Sequence, residues 1–283
     1  MKSFKLEFIV FICGAVVMIL ELTGSRILAP FLGTSLFVWT SLIGIILGSL
    51  SLGYYLGGKL ADKKATYQQF SIIIFLAAIF IALTSFSKEI VLEFLDKNIT
   101  DLRISSIIAT IILFAPASIF LGMISPYAIK LKLETLQKSG RTVGNLYAIS
   151  TIGSIAGTFL AGFFLVAFFG NGRLLIILAI TLLLTSILAF STRSIKSKIL
   201  LIALFVGYMS TTYMAKANFI DVDTPYNRVL IYEDIHQETQ KPMRVLDIAT
   251  TANSAMFLES EDLVFEYTKF YDLASLFNPA FEK

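Results

Sequence analysis

The chain has 283 residues, of which 56% are hydrophobic and 15% charged, with a net charge of +3. An ordinary soluble domain carries about 25% charged residues, so a water-facing surface for the whole chain is excluded. Charge is also unevenly placed: residues 1–215 hold 17 Lys/Arg against 8 Asp/Glu, and residues 216–283 hold 6 against 12. The composition break puts a domain boundary near residue 215, between a helical membrane part (1–215) and a small soluble part (216–283). The basic excess lies in short loops between apolar runs, the pattern of a cytoplasmic membrane face, so no nucleic-acid partner is expected.

In chain order, the first apolar run covers residues 7–29. Lys2 and Lys5 precede it as in a secretory signal, but no small-x-small cleavage site follows, and Glu21 and Arg26 lead on into further apolar sequence. A retained spanning helix is expected. Cys13 is the only cysteine and lies inside this run, so no intrachain disulfide forms. Further runs at 36–57, 68–87, 104–128, 143–169 and 172–191 each approach the roughly 20 apolar residues that cross a bilayer. A seventh, 199–214, is shorter and ends in Tyr208, Ser210, Thr211, Thr212 and Tyr213. The expected fold is a mainly α, polytopic bundle of six to seven spanning helices.

The connections orient the bundle. Lys2, Lys5, the 59–66 and 129–142 loops and Arg193, Lys196 and Lys198 fall on one side, and only Lys88, Lys97, Arg103 and Arg173 on the other. Positive charge stays inside, which predicts a cytoplasmic N-terminus in a multi-pass plasma membrane protein. Seven crossings would then leave the tail outside the cell.

The second and fifth runs share a pattern, Gly44, Gly48 and Gly53 against Gly153, Gly157 and Gly162. Small residues at such spacing allow close helix packing, within the chain or in a homo-oligomer. They equally fit a 3+3 inverted repeat, on which many transporters are built. Ionisable residues within a span default to function, which makes Glu21 and Arg26 candidates; snorkelling of Arg26 and an interhelical bond from Glu21 are the structural alternatives.

Beyond residue 216 the pattern changes. Residues 227–234 and 243–248 are β-rich around a polar turn at 237–242 and read as a hairpin, 254–258 as a third short strand, and 263–276 as an amphipathic helix. His236, the only histidine, sits at the turn and reads as a solvated loop residue.

Between the second and third runs stands Gly57-Gly58-Lys59-Leu60-Ala61-Asp62-Lys63-Lys64. A tight glycine turn is expected there, with Asp62 capping a helix or pairing with a cation. The segment resembles the G-x-L-A-D-[RK] loop of the major facilitator superfamily, with Gly58, Asp62 and Lys63 at the motif positions. The soluble part resembles the start of a spermidine synthase domain, through 223–234 (DTPYNRVLIYED), 244–247 (RVLD), 253–258 (NSAMFL) and 262–273 (DLVFEYTKFYDL). Residues 21–30 (ELTGSRILAP) and 144–148 (GNLYA) are similar to the helical half of fused facilitator/spermidine synthase membrane proteins.

That resemblance implies transfer of an aminopropyl group from decarboxylated S-adenosylmethionine to a polyamine such as putrescine. It matches Asn227 and Asn253 to donor-contacting glutamines and Tyr267 to a substrate-side tyrosine, both amides being one methylene shorter than the family's. The family's nucleotide loop and catalytic Asp do not occur in the chain, so no catalytic residue is assigned. The sequence looks like the front of a longer protein, ending before the catalytic core. The other functional expectation is a transporter of small cationic amines with a sensing or gating tail.

Overall fold

The computed structural model describes residues 2–133, 139–189, 220–224, 228–237, 239–248, 251–260, 262 and 264–270. The chain divides into two compact units, Met1–Thr211 and Thr212–Lys283.

The first unit is helical. Its helices are α1 (Lys2–Leu32), α2 (Leu36–Lys63), α3 (Tyr67–Asn98), α4 (Leu102–Leu113), α5 (Ala115–Lys132), α6 (Ser139–Leu160), α7 (Val166–Phe169) and α8 (Asn171–Ala189), with a π-helical turn, Ala161–Leu165, joining α6 to α7. Local chemistry sets the breaks. Gly33 (φ 73°) and Gly170 (φ 67°) end helices in backbone conformations that other residues avoid. Ser35, Thr66 and Asp101 cap α2, α3 and α4 by accepting from the backbone N–H of Val38, Gln69 and Arg103.

Among the described residues, five helices are long and apolar enough to cross a bilayer, and α4 with α5 makes a sixth if the bent pair is one span. The run at 104–128 is therefore not the straight helix its composition predicts: it bends by 54° at Phe114. Pro116 stands in the first turn of α5, has no N–H for the carbonyl one turn back, and so ends α4. The hydroxyl of Thr84 on α3 donates to the Leu113 carbonyl at that break.

The glycine turn expected between α2 and α3 is also absent. Gly57, Gly58, Asp62 and Lys63 all belong to the last turns of α2, and the connection to α3 is only residues 64–66. Tyr127, fully buried on α5, organises it: its hydroxyl accepts from Thr66 N–H (3.0 Å) and donates to Gln69 Oε1 (2.7 Å). Asp62 pairs with Lys130 of α5 at 2.8 Å, and Glu7 of α1 pairs with Lys132. These contacts gather the start of α1 and the ends of α2 and α5 at one end of the bundle, as the charge count requires.

Packing follows a rule. The most extensive helix pairs are α2 with α5, α1 with α6 and α3 with α8, followed by α3 with α5, α2 with α4 and α1 with α8. Taking α4/α5 as the fourth span, α6 as the fifth and α8 as the sixth, exchange of the first three spans with the last three maps this set of pairs onto itself. The interior is apolar, for example Leu28, Leu42, Ile74, Phe114 and Leu182. Much of the outward surface is too, with Leu36, Ile90, Phe94, Ile152, Phe159 and Phe163 exposed.

In the second unit, β1 (Ile220–Asp223), β2 (Arg228–Ile235), β3 (Pro242–Ile248) and β4 (Thr251–Phe257) form an antiparallel sheet in sequence order, followed by a short helix α9 (Glu266–Lys269). The expected hairpin is present, with Leu230 opposite Asp247 and Tyr232 opposite Val245. β1 is an additional strand that the sequence reading left out, and β4 begins three residues before the expected 254. Only Glu266–Lys269 of the expected 263–276 helix, and none of the seventh run at 199–214, lies within the described helical residues.

Candidate functional site

The helix seams locate the site. On α2, a Cβ at Gly53 would fall on the Ile119 carbonyl of α5, and one at Gly57 would lie 2.6 Å from the Met123 Cα; both are closer than real Cβ atoms approach. On α6, Gly153 meets the Phe11 carbonyl of α1 and Gly157 the Ala15 backbone in the same way. Conversely, Gly122 of α5 abuts Leu50, and Gly14 of α1 abuts Ser150. One constant offset relates Leu50, Gly53 and Gly57 to Ser150, Gly153 and Gly157. Another relates Phe11, Gly14 and Ala15 to Ile119, Gly122 and Met123. The two seams are copies in register, as an inverted repeat requires.

This corrects the alignment drawn from sequence. Gly44, Gly48 and Gly162 have open space where a Cβ would stand, so they take no part in the seams. The matching pairs are Gly53/Gly57 and Gly153/Gly157.

Where the two seams meet, α1, α2, α5 and α6 enclose a partly open cavity of about 60 Å³. Its lining repeats the same correspondence: Cys13 with Leu121, Val17 with Ser125, Leu50 with Ser150, and Tyr54 with Ser154. Most of these positions lie near the middle of their helices, so the cavity sits on the pseudo-two-fold relation at mid-bundle. Ser154 donates to the Gly14 carbonyl at 3.1 Å. Tyr54, Ser125 and Ser150 make no hydrogen bond among the described residues. Pro126, next to Ser125, leaves the Gly122 carbonyl without its helical donor.

Glu21 is half-buried on α1, and it continues the face of Val10, Cys13, Gly14 and Val17 one turn further along. Glu21 does not itself line the cavity. Arg26 lies one further turn on, is half-buried and is engaged in an interaction of its own. The lining includes neither Glu21 nor the three motif residues Gly58, Asp62 and Lys63. Those three stand at the charged end of α2.

Of the residues matched by resemblance, Asn227 lies outside the described residues. Asn253 and Tyr267 are brought together: the Tyr267 hydroxyl donates to the Asn253 backbone carbonyl at 3.1 Å, and the Asn253 side-chain oxygen accepts from Ile248 N–H at 3.2 Å. Both are exposed; the first bond ties α9 to β4 and the second ties β4 to the end of β3. In the hairpin, the Tyr232 hydroxyl donates to Asp247 at 3.3 Å, while the other Asp247 oxygen is buried without a partner. Partial burial, then the neighbouring Asp247 carboxylate, push the Tyr232 phenol above its ordinary value. His236 forms part of the turn, bonding through Nδ1 with Thr239 and lying edge-on to Phe257.

Comparison with known protein families, curated proteins and solved structures finds no match. The cavity lining was not legible as a site from sequence, because isolated serines in apolar runs read as ordinary packing. The signal that finds them is the constant offset between the glycine pairs.

Proposed function

We propose that the helical unit is embedded in the plasma membrane with its N-terminus in the cytoplasm, and that the protein is a membrane-bound relative of the polyamine aminopropyltransferases. The exposed apolar helix faces support the first part, since lipid and not water is the solvent they suit. The observation that carries the second is the order of the soluble unit: an antiparallel meander with Asp247 near the end of β3, Asn253 on β4, and Tyr267 on the helix that follows.

In such a reaction the amine nitrogen attacks the propyl carbon next to the sulfonium of decarboxylated S-adenosylmethionine. The new C–N bond forms as C–S breaks, methylthioadenosine leaves, and a base takes the ammonium proton. Asn253 and Tyr267 are occupied by backbone partners, so they do not by themselves offer a donor site. The transfer step is proposed for this unit acting together with a nucleotide-binding domain.

The donor nucleotide is cytoplasmic, so this reading places the sheet on the cytoplasmic side. An even number of crossings from a cytoplasmic N-terminus agrees with that. Membranes from cells producing the protein, given decarboxylated S-adenosylmethionine and putrescine, are expected to form spermidine above a vector control. Neither product nor methylthioadenosine binding would remove the reading.

A second reading, transport of small cationic amines, is favoured by the paired seams and the mid-bundle cavity, the place where inverted-repeat transporters hold substrate. Proteoliposome uptake of labelled putrescine, reduced in Glu21→Gln, is its expected outcome; uptake unchanged by that substitution argues against it.

A further inference from the structure

The cavity between α1, α2, α5 and α6 combines three features that generic helix packing does not need. It is hydroxyl-lined, it stands where two registered repeats meet, and a carboxylate, Glu21, stands one helical turn beyond Val17 of its lining. Ser125 and Ser150 come from two helices of the second repeat and Tyr54 from α2 of the first, and none of these hydroxyls spends its bonding capacity on the described residues. Those oxygens are therefore available to a ligand that enters from the open side of the cavity.

We propose that this cavity binds the primary ammonium head of a small alkylamine, with the Tyr54, Ser125 and Ser150 hydroxyls as acceptors and Glu21 as the counter-charge. An ammonium has three N–H donors, and three hydroxyl oxygens on different helices match that number. A volume of about 60 Å³ admits the head and its first methylenes, and the partly open side leaves room for the rest of the chain. An anion is disfavoured by Glu21, and a fully apolar solute would leave the hydroxyls unpaired. Glu21 stands about 6 Å of helix rise beyond Val17, within the span of a glutamate side chain and an alkylammonium group.

The inference names a site for the transport reading and rests on it only for the choice of amine. Binding is therefore measured without transport, by equilibrium dialysis of the full chain in detergent with labelled putrescine and with methylammonium. Wild-type chain is expected to bind both amines. Ser150→Ala and Tyr54→Phe, which remove single oxygens with little change of shape, should each weaken binding about tenfold, since each deletes a hydrogen bond to a charged group. Glu21→Gln should weaken it by at least as much. Thermal melting of the amine-free variants checks that they fold as the wild type does.

Absence of amine binding by the folded wild-type chain overturns the proposal. So does unchanged affinity in a folded Tyr54→Phe, Ser125→Ala, Ser150→Ala triple variant, or displacement of bound amine by equimolar sodium. Amine binding without uptake in liposomes would keep the site and remove the transport reading. Uptake that the triple variant does not affect would keep transport and remove the site.

Discussion

Replacing Gly57 by alanine tests the seam between α2 and α5. The added methyl would lie 2.6 Å from the Met123 Cα, where ordinary contact begins at 3.4 Å, so the two helices must part by about 0.8 Å. The obstacle is backbone on a packed helix, and no side-chain rotation relieves it. Overpacking of this kind costs about 1–3 kcal/mol, against which the better helix propensity of alanine returns at most about 1 kcal/mol. Gly157→Ala faces the Ala15 Cα at 2.7 Å and should cost about the same, because its seam is the copy of the first. Gly44→Ala and Gly48→Ala enter open space, and they should be neutral or slightly stabilising. Reversible unfolding in mixed detergent and SDS micelles measures all four. A Gly57→Ala as stable as wild type would refute the reasoning, and so would equal losses at Gly44 and Gly57. A loss at Gly57 with none at Gly157 would refute the equivalence of the two repeats.

Tyr127→Phe removes the hydroxyl that holds the α2–α3 connection and leaves Thr66 N–H without its acceptor. A loss of about 1–3 kcal/mol is expected, read as a lower melting temperature than in a Tyr67→Phe control, and an unchanged melt would contradict it. The soluble sheet should weaken as pH rises through 10, the ordinary value for a tyrosine phenol. Tyr232 is held protonated in the folded state by partial burial and by Asp247, so the folded form binds the proton more tightly than the unfolded chain and loses that advantage as the unfolded chain ionises. Tyr232→Phe should flatten the alkaline limb, measured by circular dichroism of the sheet signal against pH; an alkaline limb identical in the variant would sink the assignment.

The helices were legible because hydropathy and length decide them, and the caps Ser35, Thr66 and Asp101 stand where polar residues interrupt apolar runs. The break at Phe114 was not, although Pro116 was its signal: the run around it is apolar throughout, and a length test passes over a single proline. Gly57 and Gly58 misled in the opposite direction, since two glycines before charges suggest a turn. Their neighbours Leu56 to Lys63 continue the helix, and Gly57 serves close packing against Met123. The glycine repeat was visible, but spacing alone matched Gly44 and Gly48 to the wrong partners, because only three-dimensional contact separates a seam glycine from an exposed one. In the soluble unit alternation revealed the hairpin. β1 escaped because four residues carry too little pattern, and the roles of Asn253 and Tyr267 as backbone clasps depend on a tertiary approach that no local pattern records.

Sidedness tests the account most directly. In a Cys13→Ala background, single cysteines at Lys63, Asn98 and His236 can be probed with a membrane-impermeant maleimide on intact cells and again after permeabilisation. A six-span bundle with its N-terminus and its sheet in the cytoplasm predicts labelling of position 98 on intact cells, and of positions 63 and 236 only after permeabilisation. Labelling of position 236 from outside would contradict the cytoplasmic sheet, and labelling of 63 and 98 from the same side would contradict the membrane bundle itself.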